Sequence, residues 1–144
     1  MQDFQSQAEI TLKSEMTNAG LVIIPKENGR EGVDFLVKSP TGKQFELFLQ
    51  SADLIALQSV KIPKEQLGEP REGLWVALIG FISNSEPLIF LIPSKTLTKT
   101  DNFVFFEHDV SPHTYLSNWE IKVFTNGMKV LGEYVFHNQI KNFK

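Results

Sequence analysis

Asp34, Glu46 and Gln50 are the side chains best placed by type and spacing to act together. Asp34 lies in Val33-Asp34-Phe35-Leu36-Val37. Glu46 and Gln50 lie one short turn later, in Phe45-Glu46-Leu47-Phe48-Leu49-Gln50-Ser51. Carboxylates are hard oxygen donors of the kind Mg²⁺ takes, and several of them converging on one point would hold such an ion. The Gln50 amide donates and accepts hydrogen bonds but carries no positive charge. If the second run is a strand, Glu46, Phe48 and Gln50 share one face, and Phe45, Leu47 and Leu49 share the other. Sharing a face is not the same as converging on one ion. A second polar group, Glu107-His108-Asp109 with His113, invites a transition-metal reading. Its spacing matches no tight helical ligand pair, and exposed loop histidines are the expectation there.

The elements that must position these groups follow from periodicity. Phe4, Ala8, Leu12, Met16 and Ala19 recur at three- and four-residue steps, which predicts an amphipathic helix ended by Gly20. Leu21 to Ile24 is a short strand stopped by Pro25, and Asn28-Gly29 marks a turn before Val33 to Lys38. Ser39 to Lys43 turns the chain into Gln44 to Ser51, and Leu57 to Ile62 forms a further strand before a polar loop opened by Pro63. The apolar run from Leu74 to Ile82 fits a central strand buried on both faces, with Pro87 to Ile92 returning beside it. Ser94 caps a short helical turn. Phe103 to Glu107 and Trp119 to Phe124 are late strands. Thr125 starts a final helix with Met128, Leu131, Tyr134 and Val135 on one side and His137 near its end. The fold class expected is α/β, a central mixed β-sheet flanked by helices, in a single domain over 1–144.

Twelve Phe among 144 residues favour a β-rich, well-filled interior. Without cysteine there is no disulfide, thiolate metal site or cysteine nucleophile. No stretch resembles a signal peptide or a membrane span, so a cytoplasmic protein is expected. A net charge of −3 argues against broad, sequence-independent nucleic-acid binding, although Lys61 and Lys64, or Lys141 and Lys144, could form a local basic face. Neither a Gly-x-Ser-x-Gly elbow nor a Gly-rich phosphate loop is present. Trp75 and Trp119 lie in apolar strands, where core packing is the expectation. Aromatics in both alternation phases of Asp101 to Phe106 suggest a strand covered on both sides, and with it a homodimer through this segment.

Gly32-Val33-Asp34-Phe35-Leu36 resembles the Gly-φ-Asp-φ-φ segment of the PD-(D/E)XK nuclease-like (restriction-endonuclease-like) superfamily. Leu47-Phe48-Leu49-Gln50-Ser51 is similar to its φ-acid-φ-Lys-Ser strand, and Glu9 matches an acid of the first helix. The resemblance runs over most of the chain and implies a restriction-endonuclease-like fold. In that superfamily the hairpin aspartate and the next strand's acid hold a metal, while the lysine orients or activates water. The resemblance thus gives Asp34 and Gln50 as catalytic positions, with Glu9 and Asp34 as ligands if the site is active. Glu46, on the face of Gln50 but one pleat from the expected acid position, joins both sets as a migrated ligand. Phe48 replaces the second acid and Gln50 the lysine. Losing that cation weakens transition-state stabilisation.

Three functions follow as expectations. One is a degenerate nuclease-like domain, not an enzyme, with no cofactor and with nucleic acid or a protein as partner. Another is an active Mg²⁺-dependent nuclease with a rearranged site. The third is a small bacterial-type interaction protein without nuclease ancestry.

Overall fold

The computed structural model describes residues 4–26, 33–56, 58–82, 85–109, 117–123 and 125–144. Helix α1, Phe4–Asn18, buries Ala8, Leu12 and Met16 along one stripe. It ends where Gly20, at φ +86°, lets the Leu21 amide reach the Met16 carbonyl and its own amide reach that of Thr17. This left-handed cap satisfies carbonyls that the helix end would leave open.

Strands β1 (Val22–Pro25), β2 (Phe35–Lys38), β3 (Gln44–Asp53), β5 (Leu74–Phe81) and β6 (Leu88–Pro93) form a five-stranded sheet in the order β1-β2-β3-β5-β6. Only the β3–β5 contact is parallel; the other pairings are antiparallel. β5 is an interior strand between β3 and β6, and every residue from Leu74 to Gly80 is buried, as its continuous apolar run requires. Between β3 and β5 the chain leaves this sheet to form β4 (Ser59–Pro63) and a one-turn helix α2 (Lys64–Leu67). β4 joins β7 (Phe105–His108) and β8 (Asn118–Lys122) in an antiparallel sheet of order β4-β8-β7.

Strand alternation divides the interior into two cores. On one face of the larger sheet, Phe35, Val37, Leu47, Leu49, Trp75, Ala77 and Ile79 pack under α1. Phe143 is fully buried on the same side, its ring 4.6 Å from Phe45 and 4.7 Å from Trp75. On the other face, Phe48, Ala52, Val76, Leu78 and Phe90 meet Val60, Ile62, Phe105, Trp119 and Ile121 of the smaller sheet. Trp75 and Trp119 are core residues, as their apolar strands implied.

The mixed central sheet is present as expected, with a second, smaller sheet stacked on it, because β4 pairs with a strand more than 50 residues later. Two expectations need correction. The polar loop expected after Pro63 contains α2, whose Leu67 is completely buried. The single final helix is instead a run of short turns: 3₁₀ over Thr125–Gly127, α3 (Met128–Leu131), 3₁₀ over Gly132–Tyr134, α4 (Phe136–Gln139) and 3₁₀ over Ile140–Phe143. The break falls at Val135, whose extended backbone makes an isolated antiparallel bridge to Phe90 on β6. That contact covers part of an open sheet edge, and tertiary pairing outweighs the local helical period. No helix among the described residues is long and apolar enough to cross a membrane.

Candidate functional site

The β2–β3 hairpin carries the residues singled out by type. Asp34 precedes β2; its amide donates to the Leu47 carbonyl, and its Oδ2 accepts the Leu49 amide at 2.7 Å. Because β2 begins only at Phe35, the Leu49 amide lies beyond the strand pairing on that side. The carboxylate takes the place of the missing strand carbonyl, which a buried amide cannot lack cheaply. Burial raises the Asp34 pKa most; the Leu49 hydrogen bond lowers it, the charge of Glu9 raises it, and the net position is above the ordinary 3.8. The residue as a whole is exposed, so solvent screens its charge.

Glu9 therefore lies within electrostatic reach of Asp34, across the α1–hairpin contact. Its carboxylate also pairs with Lys13 one turn along α1, at 2.9 Å. Nearby, the Ser51 hydroxyl donates to Gln5 Oε1 at 3.1 Å, a further tie between β3 and the helix.

Glu46, Phe48 and Gln50 project together, as alternation requires, but onto the face opposite α1. Arg71 donates to Glu46 Oε1 from Nε at 3.1 Å and from Nη2 at 2.8 Å. Phe48, 7% exposed, is part of the core between the two sheets. The Gln50 amide nitrogen donates to the neighbouring Ser51 carbonyl at 3.0 Å. The hairpin thus brings Asp34 and Glu9 near each other and directs Glu46 to a different partner. Among the described residues, no three His, Asp or Glu side chains are grouped to share a metal ion.

A second polar arrangement lies on the smaller sheet. Lys64 Nζ sits 4.5 Å from the Trp119 ring centre and pairs with both Glu107 and Asp109, the latter at 2.7 Å. Burial lowers the Lys64 pKa, but hydrogen bonds and charge from Asp109 and Glu107 outweigh it and leave the group above 10.5. His108 points the other way, as β alternation demands, and its Nε2 lies 2.8 Å from Glu120 Oε1. Glu107, His108 and Asp109 therefore serve two separate clusters, and His108 is a strand residue rather than a loop one; His113 lies outside the described residues. Burial raises the Glu120 pKa, yet hydrogen bonds from His108 and Ser59, with the charges of His108 and Lys61, hold it below 4.5.

Sequence inspection named neither the Glu46–Arg71 pair nor the His108–Glu120–Ser59 group. Trp119-Glu120-Ile121-Lys122 does carry the signal of a half-buried strand, alternating apolar and charged, which places Glu120 and Lys122 on a solvent face. Arg71 gives no such signal, since it stands in an irregular stretch 25 residues from its partner.

The five strands, the parallel β3–β5 contact and α1 across the hairpin match a known architecture. The crystal structure of Hjc from Archaeoglobus fulgidus, a Holliday junction resolvase from an archaeal hyperthermophile, superposes with a TM-score of 0.60 over 97% of both chains. The fold is restriction-endonuclease-like. Identity to Hjc is 9%, so the likeness is one of fold and leaves the resolvase activity with Hjc. No family model matches the sequence, and no curated protein matches it at a significant level. Asp34 immediately precedes β2, and Phe48 and Gln50 lie within β3.

Proposed function

We propose that this chain is a catalytically degenerate restriction-endonuclease-like domain that acts by binding a nucleic-acid or protein partner in the cytoplasm. One observation carries the reading: Phe48 stands where the resembled site has its second carboxylate, and its ring is packed between the two sheets. A phenyl ring cannot ligate a hard cation, and Gln50 supplies no positive charge to stabilise the negative charge that develops on the attacked phosphodiester.

The remaining donors do not suit Mg²⁺. Asp34 commits one oxygen to the Leu49 amide, Glu9 is paired with Lys13, and Glu46 is held by Arg71 on the opposite face. A Mg²⁺ site needs oxygens converging in near-octahedral geometry, and these three do not converge.

A rearranged, active Mg²⁺-dependent phosphodiesterase is the second reading, and the nearness of Glu9 to Asp34 is what favours it. The experiment that separates the two is incubation of pure protein with Mg²⁺ or Mn²⁺ and labelled single-stranded, duplex and branched DNA and RNA. Branched DNA belongs in that set because the fold is shared with a junction resolvase. The expected result is no cleavage. Cleavage that Asp34→Ala abolishes overturns the degenerate reading and establishes the second.

A further inference from the structure

The smaller sheet has one face in the core and one in solvent. Val60, Ile62, Trp119, Ile121 and Phe105 point inward. By register, Lys61, Glu120 and Phe106 lie in one cross-strand row on the outer face, with Ser59 beside Lys122 in the next. This face borders a depression of ≈ 590 Å³, lined by Gln58, Asn102, Phe103, Phe106 and Lys122 among others.

Two aromatic side chains are presented there. Phe103 is 42% exposed and is the one exposed aromatic among the large hydrophobics of the described residues. Its position is fixed by the backbone beneath it. Asp101 Oδ1 accepts the amides of Phe103, Val104 and Phe105 at 3.0, 2.8 and 2.8 Å, and Asn102 adopts φ 56° in the left-handed region. Val104 and Phe105 are buried immediately after it, so the chain is anchored while Phe103 stays outside. Phe106 is partly exposed, with Lys122 Nζ 4.5 Å from its ring centre.

The charge on this face differs from that of the whole chain. Lys61 lies in the row and Lys122 in the next, and the carboxylate between them, Glu120, is already engaged by His108 and Ser59. Ring faces for stacking, lysines for phosphates and the side-chain amides of Gln58 and Asn102 for base edges are the components of a single-strand binding surface. A duplex offers its bases only at groove edges, whereas a single strand presents whole ring faces to a sheet.

We infer that the outer face of the β4-β8-β7 sheet binds single-stranded nucleic acid, with Phe103 and Phe106 stacking bases and Lys61 and Lys122 contacting the backbone. This rests on the proposal that the domain works by binding, and it chooses nucleic acid over protein as the partner. It also assigns the Asp101–Phe106 segment a role other than the homodimer contact expected from its aromatic pattern.

The test is fluorescence anisotropy with labelled single-stranded DNA and RNA of roughly 10 nucleotides, a length within the span of such surfaces. Binding should weaken steeply as salt rises. Phe103→Ala should weaken it about tenfold or more. Lys122→Gln should reduce the salt slope by about 0.7. Both positions lie outside the core, so folding of each variant is verified by circular dichroism. Lys43→Ala, in the turn before β3, should leave affinity unchanged. Nucleic-acid binding that neither sheet-face substitution alters overturns this surface while leaving the non-catalytic binding reading intact. Absence of binding to any single strand at low salt, with a salt-insensitive protein partner instead, overturns it too and leaves the protein form of that reading.

Discussion

The β2–β3 hairpin and the outer face of the smaller sheet are opposites. The hairpin holds the residues that resemble a nuclease site in sequence, but its polar groups are dispersed among separate partners: Leu49 for Asp34, Lys13 for Glu9 and Arg71 for Glu46. The sheet face matches no motif, yet it gathers aromatic rings, lysines and a shielded carboxylate onto one surface. The contrast teaches that the place of a residue in a fold does not fix its role. On the degenerate reading proposed above, the position of Phe48 kept its place in the pleat while its side chain became a piece of core.

The largest test of that contrast restores the missing acid. Phe48→Glu places a carboxylate between the two sheets, against neighbours such as Val76 and Leu78, with no cation in the core cluster to pair it. An uncompensated buried charge costs about 3–5 kcal/mol. Urea denaturation should show a loss of that size, and the double change Phe48→Glu with Gln50→Lys should remain without Mg²⁺-dependent cleavage. A stable Phe48→Glu protein that binds Mg²⁺ would erase the distinction, because the hairpin would then be one residue from an active site.

A smaller effect separates the two meanings of Asp34. If its carboxylate serves chiefly to satisfy the Leu49 amide, Asp34→Ala removes the acceptor of a buried donor and costs about 1–3 kcal/mol. The exposure of Asp34 favours the lower part of that range, because water can reach the site. Asp34→Asn keeps an oxygen acceptor and should lose less. Equal stability of wild type and Asp34→Ala in thermal and urea unfolding would remove the structural role and return Asp34 to the catalytic comparison.

These residues also show what could be read before folding and what could not. Alternation placed Glu46, Phe48 and Gln50 on one face, and the apolar run from Leu74 identified a strand buried on both faces, because both signals are local. Three- and four-residue spacing likewise found α1 and its Gly20 cap. The partner of Glu46 was not legible, because Arg71 reaches it only through the parallel β3–β5 pairing, a contact of high sequence separation. The second sheet was hidden for the same reason: β4 finds β8 across more than 50 residues, and nothing in Ser59–Pro63 marks which sheet it joins. The broken C-terminal helix failed in the other direction. Met128, Leu131, Tyr134 and Val135 have helical spacing, but Val135 gains a β6 contact that only the assembled sheet supplies.

The smallest effect is a pH dependence in which the two regions carry opposite signs. Glu120 has its folded pKa below the ordinary 4.5, so its contribution is present above that value and is lost as pH falls through the folded pKa. Asp34 has its folded pKa above 3.8, so its contribution is present below that value and is lost as pH rises through the folded pKa. Urea unfolding of wild type and Glu120→Gln across the acid range should therefore show a stability difference in favour of wild type near neutrality that shrinks toward acid. Asp34→Asn should show the reverse trend, its deficit against wild type growing toward acid. A difference between wild type and Glu120→Gln that grows on acidification would mean that burial, not the hydrogen bonds from His108 and Ser59, governs Glu120. The carboxylate of the sheet face would then be governed by burial, as Asp34 of the hairpin is.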